Sequence, residues 1–366
     1  MPEVQLMGLS KRFGSITALE DINLDVREKE YVSIIGPSGC GKSTLIKCIA
    51  GVVAPDEGKI LVNGQAMRNV PIQHRRIGYV FQEIVLFPHM RIFENISYGP
   101  RVQGQTSQSA EVLVDELLSL IKLVDRADSF PMELSGGAQQ KVAVARALAS
   151  GSALLLLDEP FGALDAKVRA DLRYEIRKMV ADLGLTVLHV THDQEEAMSV
   201  SDRVVIMKAG RIIESGRPIE LYLRPKMIFT ANFLGEANFL QAKVIQQTST
   251  GAVVQVGDLH LQTLDRNQKA GEDVIIAIRP EFLSITEGLE DENYLRGRVS
   301  GIRFMGHAFR YEVETVDGTT IHVEHPVCLG ELEIETMDEV SLAVPPHHVM
   351  VYSVPELGLE RELQLE

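Results

Sequence analysis

The chain has 366 residues and a formal net charge of −15 at pH 7. This length is enough for two or three domains with cores of their own, and so acidic a surface argues against a nucleic-acid duplex or an anionic lipid surface as the main partner. No C-x-x-C pair occurs, so neither a disulfide framework nor a zinc or iron–sulfur site is predicted for the cysteines, which are Cys40, Cys48 and Cys328.

Targeting and membrane-spanning segments are not visible in the sequence. The amino terminus, MPEVQLMGLS, lacks the basic and apolar regions of a signal peptide. No apolar run approaches the ~18 residues that a membrane-spanning helix needs. We therefore expect a soluble cytoplasmic protein.

The first predicted elements are strands over residues 4–9 and 22–26, with a turn around 11–15 between them. Phe13 lies in this turn, ahead of a glycine-rich loop. Its ring either packs as a satellite of the core or stays available to stack on a flat ligand, and the pattern leaves both interpretations open.

The stretch Tyr31–Ala50, YVSIIGPSGCGKSTLIKCIA, is the most informative in the chain. A short apolar run over 32–35 predicts a buried parallel strand, and apolar residues return at helical spacing after residue 44. Between them stands a full G-x-x-x-x-G-K-[ST] motif, formed by Gly36, Pro37, Ser38, Gly39, Cys40, Gly41, Lys42, Ser43 and Thr44.

A strand, a glycine loop and a helix in this order predict a nucleoside-triphosphate site. The glycines let successive backbone N–H groups form a concave nest, and the helix adds its free N–H groups and the positive end of its dipole. Lys42 would reach the β- and γ-phosphates, Ser43 would bind Mg²⁺, and Thr44 would support the loop. The alternative, a glycine turn before an ordinary helix, fits the whole pattern far less well.

Residues 83–133 read as a helical insertion in an α/β domain, because prolines punctuate them and apolar residues recur at helical spacing. The sequence LSGGAQQ follows directly. Ser135 is well placed as the N-cap of an alanine-rich helix, and Gly136 and Gly137 leave backbone N–H groups open at its start. We interpret this as a second phosphate-binding feature.

Two buried strands further along end in polar residues. The strand over 153–157 ends at Asp158-Glu159, where adjacent carboxylates suit a cation or a proton transfer. Asp158 would hold Mg²⁺, directly or through water, and Glu159 would polarise a water for attack on the γ-phosphorus. The strand over 186–190 leads to His192, which we expect at the same crevice because the carboxyl ends of parallel strands meet there. The competing interpretations are an ordinary acidic turn and a structural histidine.

From about residue 236 the pattern turns to short alternating strands with glycine turns, which predicts a second, all-β domain. A weak internal repeat of about 60 residues relates 274–285 to 340–351 and suits a pair of small barrels. The repeat aligns His347-His348 with Glu281-Phe282, so a strand-capping role for the two histidines is favoured over a metal site.

The order of these motifs resembles the ATPase subunit of an ABC transporter: GPSGCGKST, then Gln82 within FQEIVLFPHM, then LSGGAQQ, LLLLDEP, GALD and His192. The tail, with its IRPE segment and duplicated β unit, resembles the TOBE domain that follows the ATPase in importers for sugars, polyamines, ferric iron and related solutes. The resemblance implies an α/β P-loop ATPase domain over 1–235, with a helical subdomain at about 83–133. An all-β, OB-like regulatory domain would cover 236–366.

The resemblance also implies roles around the nucleotide. Phe13 would stack on adenine, and the loop from Gly36 to Thr44 would cradle the phosphates of ATP. Mg²⁺ would be held by Ser43 and Asp158, with Gln82 contacting both the ion and the attacking water. Three catalytic groups are implied besides Gln82. Lys42 would contact the β- and γ-phosphates, Glu159 would be the general base, and His192 would hydrogen-bond the γ-phosphate.

The resemblance of the LSGGAQQ motif implies a head-to-tail homodimer. Ser135, Gly136 and Gly137 would bind the γ-phosphate of the ATP held by the other subunit, and Asp165 would lie at the seam between subunits. The motif has Ala138 where the family usually carries glutamine. Ser135, Gly136 and Gly137 are retained, so we expect that ATP is still bound between the two subunits.

By this resemblance the chain hydrolyses ATP for an importer. It would act on the inner face of the cell membrane through separate permease subunits, with a periplasmic or extracellular solute-binding protein as an indirect partner and no nucleic acid. The permease and the binding protein would choose the solute. The alternative is a soluble ABC-type ATPase with a regulatory, ligand-binding β domain and no coupling to transport.

Overall fold

A computed structural model describes residues 2–162, 164–286, 293–327 and 334–364. Cys328, and Ala163 of the GALD loop, lie outside the described residues. The chain forms two compact units, Met1–Ile219 and Glu220–Leu365. The domain limits drawn from the sequence, at residues 235 and 236, remain a prediction. Within the described segments, no helix combines the length and the apolar character needed to cross a membrane.

The first unit contains two sheets. Its strands are β1 (Pro2–Phe13), β2 (Ile16–Arg27), β3 (Tyr31–Ile35), β4 (Glu57–Val62), β5 (Gln65–Ala66), β6 (Ile77–Val80), β7 (Leu154–Asp158), β8 (Thr186–Val190), β9 (Arg203–Lys208) and β10 (Arg211–Gly216). A four-stranded antiparallel sheet has the order β2-β1-β4-β5, and a six-stranded sheet has the order β10-β9-β3-β8-β7-β6. The strands from β9 to β6 are parallel, and β10 adds an antiparallel edge.

The helices of this unit are α1 (Lys42–Ala50), α2 (Ile92–Val102), α3 (Ser107–Leu120), α4 (Gly136–Ala149), α5 (Ala166–Leu183) and α6 (Gln194–Val200). The short α7 (Pro218–Leu223) spans the limit between the two units. Helices α2 and α3 form the predicted insertion between β6 and α4. Thr106 caps α3 by accepting a hydrogen bond from the backbone N–H of Ser109.

Strand β7 shows how the six-stranded sheet is buried on both faces. Leu154 and Leu156 pack in the apolar cluster that contains the antiparallel sheet and α1. Leu155 and Leu157 point the other way, into the cluster formed with α2, α3, α4 and α5. Successive side chains alternate across a strand, so a run of leucines fills both layers. Because β3, β7 and β8 are buried throughout, the chain can turn toward solvent only beyond their ends.

The helices that lie wholly in the second unit are α8 (Ile228–Phe233) and α9 (Leu359–Leu363). Its strands are β11 (Asn238–Gln247), β12 (Ala252–Val256), β13 (Leu259–Thr263), β14 (Asp273–Ile278), β15 (Ser284–Thr286), β16 (Tyr294–Phe304), β17 (Ala308–Thr315), β18 (Thr320–Pro326), β19 (Glu339–Ala343) and β20 (Met350–Ser353). They make two five-stranded sheets, with the orders β13-β12-β11-β14-β20 and β15-β19-β16-β17-β18.

The two copies of the internal repeat exchange their last strands. β15 follows β14 in the chain but pairs with β19 of the second copy, and β20 in turn pairs with β14 of the first. Both sheets share one apolar cluster. Each of the two five-stranded sheets is therefore completed by a strand of the other copy, a pairing that the repeat did not predict. In the turns that precede the exchanged strands, the rings of Phe282 and His348 stack with centroids 3.7 Å apart. The described residues hold no group of three or more potential metal ligands of the His, Cys, Asp or Glu type.

Candidate active site

The glycine loop leaves the end of β3 and enters α1 in a conformation that only glycine tolerates well. Gly41 has a φ of +107°, and a Cβ on it would stand 2.3 Å from the carbonyl oxygen of Ala18. Such contacts hold the loop tightly against β2 and turn its backbone toward the crevice. The Lys42 side chain folds back over this loop and donates hydrogen bonds to the carbonyl oxygens of Gly36 (2.7 Å) and Pro37 (2.9 Å).

Asp158 is the last residue of β7 and lies beside Ser43. It is 5% exposed, and its Oδ1 accepts a hydrogen bond from the Ser43 hydroxyl at 3.2 Å. Its Oδ2 accepts one from the Tyr79 hydroxyl at 2.7 Å. Burial, together with this bond to a carboxylate, raises the pKa of Tyr79, so the phenol remains a donor. The carboxylate is thus fixed beside the first turn of α1.

Glu159 is held with its backbone in the left-handed region, at a φ of +47°. This conformation is uncommon for a residue with a side chain and is maintained by a hydrogen bond from its N–H to the carbonyl oxygen of Val190, at 2.9 Å. Its Oε2 accepts a hydrogen bond from the Gln82 amide at 3.0 Å and lies 3.1 Å from Nδ1 of His192. Residues that follow three different strands therefore meet at one carboxylate.

A cleft of about 540 Å³ lies here, lined by Ile16, Ala18, Ser38, Gly39, Gly41, Lys42, Ser43, Thr44, Gln82, Glu159 and His192. Asp158 does not line it and is connected to it through the hydrogen bond from Ser43. Ile16 and Ala18 were not predicted; they belong to β2, which the sequence pattern placed further along the chain. A larger cavity, of about 1200 Å³, lies in the second unit. It contains none of the predicted site residues, so the chemistry is sought in the smaller cleft.

Several predicted residues do not line this cleft. Cys40 is 4% exposed, and burial raises the pKa of its thiol. Phe13 is half-exposed at the end of β1, with Lys11 Nζ 5.2 Å from the centroid of its ring. The Ser135 hydroxyl caps α4 by accepting from the N–H of Ala138, at 3.4 Å. Asp165 caps α5 in the same way.

The two glycines at the start of α4 face α5. A Cβ on Gly137 would lie 2.7 Å from Cγ1 of Val168, and one on Gly136 would lie 3.1 Å from Cδ2 of Leu164. The pair therefore permits close packing of the two helix starts, besides leaving backbone N–H groups uncovered.

Comparisons with known proteins agree with this geometry. Residues 19–162 match the family model described as ABC transporter, and residues 276–351 match the one described as TOBE domain. A solved dimeric ATP-binding cassette, in a post-hydrolysis state with ADP and Pi, is 33% identical. It aligns with a TM-score of 0.52, over 59% of this chain and 98% of its own length.

Relatives that match nearly the whole chain are import proteins. The Fe(3+) ions import ATP-binding protein of Agrobacterium fabrum is 40% identical over 90% of this chain and 92% of its own length. The spermidine/putrescine import ATP-binding protein of Thermotoga maritima is 38% identical, covering 97% and 99%. The sulfate/thiosulfate import ATP-binding protein of Bacillus cereus is also 38% identical, covering 96% and 98%. The predicted fold class and family are confirmed: the chain belongs to the ATP-binding subunits of ABC importers that carry a TOBE domain, and it is an ATPase.

Proposed function

We propose that the cleft hydrolyses ATP with Mg²⁺ between two copies of this chain, and that the hydrolysis drives solute uptake through a separate permease. The observation that carries the proposal is the meeting of Gln82 and His192 at one oxygen of Glu159, in the cleft that also holds Lys42 and Ser43. Positioned polar groups of this kind can act on a phosphoryl group from several directions at once.

The donors beside the glycine loop fit Mg²⁺. The Ser43 hydroxyl and the Asp158 carboxylate lie within hydrogen-bond distance of each other, and Gln82 lines the same cleft as Ser43. Hydroxyl, carboxylate and amide oxygens are hard ligands, and Mg²⁺ in phosphate sites uses few protein ligands besides water and phosphate oxygens. The bound ion would neutralise charge on the β- and γ-phosphates. The Lys42 ammonium, now on two loop carbonyl oxygens, would turn to the same phosphates.

Glu159 is proposed as the general base. Its carboxylate, on a strained backbone at the end of β7, accepts a proton from the attacking water. Gln82 donates to the same oxygen and so orients the carboxylate. His192 would hydrogen-bond the γ-phosphate and stabilise charge that develops there. Phe13 would stack on the adenine.

A second subunit would complete the site. Ser135, Gly136 and Gly137 are absent from the lining of the described cleft in their own chain, yet they start a helix with uncovered N–H groups. In a head-to-tail pair they would face the γ-phosphate of the partner's ATP, with Asp165 at the seam. The similarity to a dimeric cassette supports this arrangement. ATP would hold the pair together, and hydrolysis would release it.

Coupling to a membrane follows from the relatives, which are named for import. The chain would act at the inner face of the cell membrane, where the loop after Gln82 and the helical insertion would receive a permease segment. A solute-binding protein outside the membrane would deliver the solute. Relatives named for iron, polyamine and sulfate import are similarly close, at 40%, 38% and 38% identity. We therefore assign the choice of solute to the permease and binding protein.

The test compares ATP hydrolysis by the wild-type chain, a Glu159→Gln variant and a Glu28→Gln control, which changes an exposed acid remote from the cleft. We expect Glu159→Gln to lose about 10²- to 10⁴-fold in kcat and to form a dimer that needs ATP and Mg²⁺ in size-exclusion chromatography. Hydrolysis by this variant at the wild-type rate would reject Glu159 as the base. An inactive wild-type chain would be assayed again in complex with its permease.

A second measurement separates the transport role from the alternative of an uncoupled ABC-type ATPase. The tagged chain is expressed in its own host, and the cells are fractionated without detergent. Recovery on membranes, followed by copurification of an integral membrane protein in detergent, supports the permease partner. Recovery in the soluble fraction alone, in a host that takes up the solute, would favour the alternative.

A further inference from the structure

Helix α5 carries three arginines spaced by four residues, which places them along one helix face. Each lies near an acidic residue of the segment that follows β8. Arg169 Nη1 is 3.3 Å from Asp193 Oδ2, Arg173 Nη1 is 3.7 Å from a carboxylate oxygen of Glu195, and Arg177 Nη2 is 2.6 Å from Asp202 Oδ1. The three pairs run from the His192 turn to Asp202, just beyond the end of α6.

The first pair differs from the other two, because its guanidinium also reaches the GALD loop. Arg169 Nη2 donates a hydrogen bond to the carbonyl oxygen of Leu164 at 3.0 Å. Leu164 directly precedes Asp165, the residue proposed to lie at the seam. One partly buried side chain, 26% exposed, therefore joins the seam loop to Asp193, next to His192.

Asp193 uses both carboxylate oxygens. Oδ1 caps α6 by accepting a hydrogen bond from the Glu196 N–H at 2.9 Å, which leaves Oδ2 for Arg169. Thr191 also holds this turn in place. Thr191 Oγ1 accepts from the N–H of Asp193 at 3.0 Å and donates to Glu196 Oε2 at 2.9 Å. A displacement of Arg169 would thus move a rigid turn rather than one side chain.

We propose that Arg169 is a positioning residue that links the seam loop to the His192 turn, so that docking of the second subunit on the loop aligns His192 for hydrolysis. The inference rests on the proposed function, because the seam and the role of His192 are part of it. Arg169 itself touches no reacting atom. It acts through Leu164 on one side and Asp193 on the other.

The experiment measures kcat, KM and ATP-dependent dimer formation for Arg169→Gln, Asp193→Asn and the double variant. Asparagine still caps a helix, so Asp193→Asn removes the charge and keeps the start of α6. Arg177→Gln is the matched control, because it breaks an ion pair on the same face of α5 that has no contact with the seam loop. Wild type and Glu159→Gln are measured beside them.

We expect Arg169→Gln to lower kcat about tenfold while KM and the ATP-dependent dimer stay within about twofold of wild type. Asp193→Asn should likewise lower kcat without changing KM or dimer formation. The kcat of the double variant should equal that of the more impaired single variant, since both substitutions break the same Arg169–Asp193 ion pair. The Arg177→Gln control should hydrolyse ATP like wild type.

The inference would be overturned if Arg169→Gln matched Arg177→Gln in kcat, or if the losses in the double variant multiplied. A loss of dimer or a rise in KM equal to the loss in kcat would also reject it, because the residue would then serve folding or binding. These failures are distinct from failure of the proposed site, which would appear as full activity of Glu159→Gln in the same assay.

Discussion

Nδ1 of His192 lies 3.1 Å from Oε2 of Glu159, and the two residues follow neighbouring parallel strands, β8 and β7. The backbone is connected at the same place, because the Glu159 N–H bonds to the carbonyl oxygen of Val190 at 2.9 Å. One side-chain contact and one backbone hydrogen bond therefore hold the proposed base beside the proposed γ-phosphate ligand. The Gln82 amide, on the same carboxylate oxygen, adds the loop that follows β6.

Replacing His192 by alanine is expected to lower kcat by about 10²-fold and to leave KM for ATP within a few-fold of wild type. The imidazole is 59% exposed at the cleft and would contribute mainly to the transition state. Steady-state kinetics of the purified chain or its permease complex would measure the change. His74→Ala, at an exposed turn, is the control. A rise in KM with unchanged kcat would contradict the assigned role.

The glycines of the LSGGAQQ segment give a second prediction. Alanine at position 137 would place its Cβ 2.7 Å from Cγ1 of Val168, so the Val168 side chain or the start of α4 must shift. We expect Gly137→Ala to lower kcat about tenfold through misplacement of the helix start. Gly136→Ala, whose Cβ would be 3.1 Å from Leu164, should lose less.

The matched rescue is the double variant Gly137→Ala with Val168→Ala. Removal of the valine methyl groups makes room for the new Cβ, and the backbone N–H groups are retained. Activity should return to within about threefold of wild type, while Val168→Ala alone stays near wild type. If the double variant remains as impaired as Gly137→Ala, packing against α5 is not the reason for the glycine.

The grouping of the cleft residues could be predicted from the sequence because it follows from the topology of a parallel sheet. Apolar runs ending at Gly36, Asp158 and Thr191 identified three strands, and the carboxyl ends of parallel strands meet at one edge. The contribution of Ile16 was missed. Strands β1 and β2 extend to a two-residue connection at Gly14-Ser15, beyond the predicted limits. Near this turn, exposed apolar residues such as Phe13 and Ile16 are mixed with polar ones, so no alternating pattern marks the strand ends.

The pairing of strands in the second unit could not be predicted in the same way. A repeat in the sequence shows that two segments fold alike, but the alternation of side chains gives only the face that is buried, not the neighbouring strand. The three-residue strand β15 could complete either sheet by this criterion. Likewise, nothing in the spacing of Arg169 along α5 shows that its guanidinium reaches the carbonyl oxygen of Leu164.

The Cys40 thiol should react slowly, with a rate that rises with pH. Burial raises the pKa of Cys40 above its usual range, with the nearby Lys42 ammonium opposing this only in part. The reactive form is the thiolate, so labelling by iodoacetamide should speed up by about tenfold per pH unit between about pH 7 and pH 9. Burial raises the pKa of Cys48 to about 11, so that residue should react more slowly still.

Mass spectrometry of the labelled chain would follow each cysteine while ATP hydrolysis is measured in parallel. Because Cys40 lies in the phosphate loop, activity should fall in step with its labelling, and a Cys40→Ser variant should retain activity after the same treatment. A rate of labelling that is flat over this pH range would contradict the assigned burial. Unchanged activity after complete labelling of Cys40 would remove it from the nucleotide site.

Arg279 is the largest fully buried side chain of the second unit, and its removal should destabilise that unit. The guanidinium donates two hydrogen bonds to the carbonyl oxygen of Tyr222, at 3.1 and 3.0 Å, and one each to those of Ala231 and Glu236, at 3.3 Å. It also lies 3.9 Å from the centroid of the Tyr222 ring. Burial lowers the pKa of Arg279, but a guanidinium stays charged at any pH at which the protein folds.

Arg279→Ala removes the donor from the buried carbonyl group of Ala231 and from the partly buried ones of Tyr222 and Glu236. An unsatisfied buried group costs about 1–3 kcal/mol, and we expect a loss of about 3 kcal/mol in the free energy of unfolding of this unit. Arg279→Lys should lose less, since it keeps one donor group. The control is Arg298→Ala, which breaks an exposed ion pair with Glu339 and should cost under about 1 kcal/mol. Urea unfolding followed by circular dichroism measures these differences. Equal midpoints for the Arg279 and Arg298 alanine variants would show that the buried hydrogen bonds contribute no more than the surface pair.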